Sequence, residues 1–138
     1  MLRTLFAIVS GIFAMMIVIS FVELANIKIF FPPPEGLDWR DPQAVAAFAA
    51  SLPAIAMAVV VLGWLLGAFI GAAVATRIAL QYRLPSALLI GALVVAGTIH
   101  SAFTIEHPAW VVAAGVLLPI PLAYLAAKLV QKGFASTR

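Results

Sequence analysis

Four side chains near the ends of apolar segments carry most of the chemistry this sequence can offer: Glu23, His100, Glu106 and His107. Two imidazoles and two carboxylates are the ligand types of a zinc or other divalent-cation site. Ionisable groups in or beside a membrane also mark proton or substrate paths. The spacing favours a plainer, structural reading. No His-x-x-x-His pair sits on one helix, Glu106 and His107 directly precede Pro108, and His100 can act as a structural clamp on Glu23 or a backbone carbonyl. Polar groups in a membrane need partners whatever their role.

Other chemistries find less support. The chain has no cysteine, so disulfides, thiolate metal sites and cysteine nucleophiles are excluded. Ser20, Ser86 and Ser101 lack the Gly-x-Ser-x-Gly surround of a nucleophile elbow. His100 and His107, seven residues apart across a helix end, are poorly placed to face each other across a haem. No catalytic residue and no cofactor is assigned, and the expectation is that the chain is not an enzyme.

The elements that must position these groups follow from composition. Of 138 residues, 65% are hydrophobic and 9% charged, against roughly 25% charged in an average soluble domain. The mean hydropathy is +1.18. Thirteen charges cannot build a polar shell around so much apolar surface, so the bilayer is the expected solvent. The segment Leu5 to Val22 is uncharged over 18 residues, longer than the ~7–15 residues of a secretory signal, and Glu23-Leu24-Ala25-Asn26 is a poor cleavage site. The sequence thus predicts an all-α, four-transmembrane-helix bundle with helices near 3–27, 53–77, 85–104 and 108–130. These form a single integral membrane domain over 1–138. Each run is long enough for the ~30 Å hydrocarbon core at 1.5 Å per residue. Pro119 and Pro121 should kink or locally unwind the fourth helix.

Charge orients the bundle. Arg3, Arg77, Arg83, Lys128, Lys132 and Arg138 fall on one side, Lys28 and Arg40 on the other. Excess Lys and Arg marks the cytoplasmic side, which places both termini inside. All five acidic residues and both histidines then lie at or beyond the outer interface. The spread of eight basic residues makes no nucleic-acid stripe.

One sizeable connection, the outer loop 28–52, joins the first two spans. Pro32-Pro33-Pro34 forces an extended segment. Asp41-Pro42 is a helix start, with a carboxylate N-cap and proline at the first helical position. Val45, Phe48, Ala49 and Leu52 follow at helical spacing, so a short interfacial helix is expected over 42–51, capping the bundle. Gly63, Gly67 and Gly71 recur every four residues in the second span, and Gly91 and Gly115 extend the theme. Small residues at this spacing let helices approach closely, within the chain or between chains.

The stretch Pro32-Pro33-Pro34-Glu35-Gly36-Leu37-Asp38 through Asp41-Pro42, with Ser51-Leu52-Pro53, Gly63-Trp64-Leu65-Leu66-Gly67-Ala68-Phe69, Ala75 to Arg77 and His107-Pro108-Ala109-Trp110, resembles an uncharacterised family of small four-helix bacterial inner-membrane proteins. The resemblance covers nearly the whole chain and implies a multi-pass bacterial inner-membrane setting, without an activity.

Three functions remain open. The leading expectation is a non-catalytic protein acting through packing, with membrane lipids and either a second copy or other membrane subunits as partners. The alternatives are a small transporter or channel with Glu23 and His100 at its outer mouth, and a periplasm-facing metal site built from Glu23, His100, Glu106 and His107. A carboxylate deep in the first helix would favour transport, but Glu23 lies near the helix end.

Overall fold

An uncharged apolar run of about 18 or more residues satisfies its own backbone polar groups in a bilayer by forming a helix. The structure, a computed structural model, describes residues 1–136. Arg138, counted above among the cations of one side, lies outside the described residues. Helix α1 (Leu2–Ala25) runs into a π-helical turn (Asn26–Phe30), and α2 (Pro42–Ser51) is the loop helix. Helices α3 (Ala54–Ile78), α4 (Arg83–Thr104), α5 (Ala109–Leu117) and α6 (Pro119–Ser136) follow. There is no strand among the described residues. Four helical stretches, 2–30, 54–78, 83–104 and 109–133, are long and apolar enough to cross a membrane.

The predicted spans differ from these at two instructive places. The first reaches residue 30 rather than 27 because the chain widens into the π turn, closed by Phe31 N–H donating to the Asn26 carbonyl at 2.8 Å. In the fourth, the local unwinding expected at Pro119 and Pro121 falls at Leu118 and divides one span into α5 and α6. Leu118 closes α5 by donating to the Ala114 carbonyl at 3.1 Å, and Pro119 and Pro121, which have no N–H, begin a new helix.

The long helices pack antiparallel. Arg3 Nε donates to the Ile78 carbonyl at 3.0 Å, bringing the start of α1 to the end of α3. From there α1 runs back along α3, so that positions 11, 19 and 22 meet 71, 67 and 63. A Cβ placed on Gly71 would lie 2.7 Å from the Gly11 carbonyl oxygen, one on Gly67 2.5 Å from Ile19, and one on Gly63 3.1 Å from Val22. Gly91 does the same between α4 and α6, where its Cβ would sit 3.0 Å from both Ala123 and the Pro119 carbonyl oxygen. Alanines fill most of the remaining contacts: Ala68, Ala72, Ala75, Ala87, Ala123, Ala126 and Ala127 are wholly buried. Helix α3 packs against α1, α4, α5 and α6 and is the most enclosed, whereas α1 is the least.

Helix α2 is built by local rules. Asp41 Oδ1 accepts from Gln43 N–H at 2.9 Å, the N-cap expected of Asp-Pro. Gly36, at φ +81°, turns the chain after the prolines. The Trp39 and Phe48 rings meet edge to face at 6.3 Å. No Cα of α2 comes within 8 Å of a Cα in any other helix, so α2 rests on the bundle through side chains alone. The bundle therefore has a termini end, dense with small residues, and a loop end roofed by α2.

Candidate binding site

At the loop end the last turn of α1 brings a carboxylate to α3. Glu23 Oε1 accepts from Trp64 Nε1–H at 3.3 Å, longer than the ~2.7–2.9 Å of a charge-assisted bond. One turn on, Asn26 is carried inward and buried, with Nδ2 donating to the Ala56 carbonyl at 3.1 Å while Oδ1 has no partner. The spacing along α1 explains this placement: Asn26 follows Gly11, Met15, Ile19 and Val22 at steps of four, four, three and four, on the face that meets α3.

The other wall comes from α4 and the turn after it. Ser101 Oγ and His107 Nε2 are 2.9 Å apart, and the His107 ring meets Trp64 edge to face at 5.9 Å. His107 Nδ1 is buried without a partner. Burial pushes the imidazole below its usual pKa, which holds it neutral. Behind this group Thr98 Oγ1 is also buried and unpartnered, pressed against α5 where a Cβ on Gly115 would lie 2.6 Å from Thr98 and 2.8 Å from Trp64.

Two cavities share this polar wall. One, of about 320 Å³, lies between α2 and the bundle; Trp39, Val45, Phe48 and Leu52 roof it, and Glu23, Asn26, Trp64, Ser101 and His107 lie along its sides. The other, of about 260 Å³, fills a gap between α1 and α4 lined by Met15, Met16, Ile19, Leu93, Val94 and Gly97. Glu23, Trp64 and Ser101 line both. A mostly apolar hollow with a few convergent polar groups is the usual form of a small-molecule site.

The four candidates from sequence separate. Glu23 and His107 share the cavity beneath α2. Glu106 lines a neighbouring hollow of about 350 Å³, with His107 and Pro108 on one side and Ala49 on the other. His100 is exposed, and its backbone carbonyl accepts from Thr104 Oγ1. The expected meeting of all four at one rim, and the His100 clamp on Glu23, are therefore corrected. Buried Thr98 and Gly91 and half-buried Ser101 put the inner face of α4 in register with positions 91, 94, 98 and 101, and residue 100 lies off that stripe. Among the described residues no three His, Asp or Glu side chains form a group that could hold a metal ion.

Asn26 and Trp64 are the site residues that sequence reasoning missed. Trp64 carried a signal, since an indole N–H within an apolar helix needs an acceptor. No protein-family model, curated protein or solved structure matches this chain.

Proposed function

We propose that this chain is a non-catalytic, multi-pass membrane protein that holds a small ligand at Glu23, exchanging it between the cavity beneath α2 and the gap between α1 and α4. The observation that carries the reading is that the Glu23 carboxylate lies on the shared wall of both cavities. A half-buried carboxylate with one long hydrogen bond is an expensive group to keep. The Ser101 hydroxyl and the His107 imidazole stand 2.9 Å apart, but no carboxylate reaches His107 Nδ1 to orient the ring as a nucleophile–base pair would need. The excess of Lys and Arg at the termini end supports an N-in, C-in orientation, which turns α2 and both cavities outward. The resemblance noted above supports a bacterial inner-membrane setting.

Native mass spectrometry of the chain released from lipid nanodiscs tests this. Wild type should retain one small molecule per chain, and Ala49→Trp, which fills the cavity from its roof, should fly without it at an unchanged melting temperature. A wild-type chain that always flies bare would count decisively against the reading.

The accessory-subunit or homo-oligomer reading has narrower support. The Gly63, Gly67, Gly71 and Gly91 surfaces are taken up inside the chain. What is left for a second subunit is the open side of α1, where Phe6, Phe13 and Phe21 stand exposed. The same spectra read the mass: a dimer supports the homo-oligomer, and a monomer removes it and leaves only a different subunit as the partner.

A further inference from the structure

The cavity beneath α2 has a definite electrostatic character. Among the described residues its wall carries one carboxylate, Glu23, and the one hydrogen-bond donor to it is the Trp64 indole at 3.3 Å. An ionised carboxylate offers about four lone-pair sites, so most of its accepting capacity is unused. Asn26 Oδ1 is a second acceptor without a donor at the same wall. No lysine or arginine lines the cavity, and the one titratable base there, His107, is held neutral by burial. Three aromatic residues, Trp39, Phe48 and Trp64, complete the enclosure among aliphatic side chains.

Surplus acceptors with no cation of the protein's own call for donors or positive charge from the ligand. Aromatic rings add to this preference, because the negative face of an indole or phenyl ring attracts an ammonium group, Trp most strongly. An anionic ligand would meet the Glu23 carboxylate with no basic side chain to offset it, and a neutral apolar one would leave the carboxylate desolvated and unpaired. We infer that the ligand of this cavity is a small organic cation, a protonated or quaternary amine with an apolar body, with Glu23 as its counter-ion and Trp39, Phe48 and Trp64 as its aromatic enclosure. The volume of about 320 Å³ is near the lower end of ligand sites, roughly 300–1,000 Å³, which limits the ligand to about one ring or a short chain beside the ammonium group. The inference rests on the proposed ligand-holding role and adds the chemical class.

The test compares phenyltrimethylammonium with its neutral isostere tert-butylbenzene. Titration calorimetry is run on the full chain in lipid nanodiscs, with empty nanodiscs subtracted. Wild type should bind the cation at least ten times more tightly than the isostere. Glu23→Gln, which keeps an acceptor for the Trp64 N–H, should lose that preference by weakening the cation and binding the isostere at least as tightly as wild type, because an amide costs less to desolvate than a carboxylate; a melting temperature like wild type's shows that the variant folds. Trp39→Ala should weaken the cation by a smaller factor. Equal wild-type affinity for both probes overturns the cation assignment and leaves the ligand-holding role standing. Binding of neither overturns both. Unchanged cation affinity in Glu23→Gln overturns Glu23 as the counter-ion.

Discussion

The α1–α3 seam and the space under α2 involve the same two helices and follow opposite rules. Along the seam Gly11 and Gly71 bring backbones so close that an added Cβ would lie 2.7–2.8 Å from a carbonyl oxygen, and Gly67 and Gly63 press on Ile19 and Val22. Beyond Gly63 the same pair of helices ends in a carboxylate, an indole and a buried amide around a hollow. Close packing of small residues is how membrane helices gain attraction without a hydrophobic driving force between them. That leaves the loop end free to be imperfectly packed and imperfectly hydrogen-bonded, which a binding site requires. Stability and binding are separated along one helix pair.

Substitutions can break this contrast or sharpen it. The largest effect is expected for Gly71→Leu, whose Cβ alone would meet the Gly11 carbonyl oxygen at 2.7 Å. Overpacking typically costs about 1–3 kcal/mol and sometimes more, and backbone cannot yield as a side chain can. Thermal unfolding in detergent should drop sharply, and a melting temperature like wild type's would show that the seam is not what holds the fold. Trp64→Phe should cost less, about 1 kcal/mol, by removing the donor to Glu23 while keeping a ring against Gly115. If Trp64→Phe destabilises as much as Gly71→Leu, the two regions are not energetically distinct.

His107 gives a pH handle. Its folded pKa lies below the ordinary 6.5 because of burial, so the unfolded chain takes up the proton first as pH falls. Its contribution to stability is complete above about pH 6.5 and declines below it, until the folded imidazole also protonates. The melting temperature of wild type should therefore fall more than that of His107→Asn between pH 7.5 and 5, and parallel declines would exclude this role. Gly97→Ala should have the smallest effect and the opposite sign. Nothing lies within 4 Å of its Cβ position, and exchanging a mid-helix glycine for alanine favours the helix by about 0.5–1 kcal/mol. Equal damage from Gly97→Ala and Gly71→Leu would deny that the glycines differ in role.

The parts of the fold governed by nearby residues were legible in the sequence. Uncharged run length gave the four long helices, Asp41-Pro42 gave the start of α2, and Pro119 with Pro121 marked the interruption that the structure resolves into α5 and α6. The site was legible only in part. Glu23 and His107 stood out because they are ionisable, but the same criterion also selected His100, which one residue of rotation points away from the core. Asn26 could not be read alone, because α1 is apolar on every side and only the packing shows that positions 11, 15, 19, 22 and 26 form its inner stripe. The partnership of Glu23 with Trp64 spans 41 positions and is set by how α1 leans on α3.

The π turn also bears on how such a site is gained and lost. It is one residue wider than an α turn, so deleting a single residue between 27 and 30 would let ordinary α geometry continue. Each residue of an α-helix accounts for about 100° of rotation, so the chain would leave α1 turned by about that angle and the loop that carries α2 would set out in a new direction. Helix α3, held to α1 through Gly63, Gly67 and Gly71, would keep its place. A single-codon deletion would therefore re-aim the roof over Glu23 and Asn26 while a lineage inherits the scaffold beneath it.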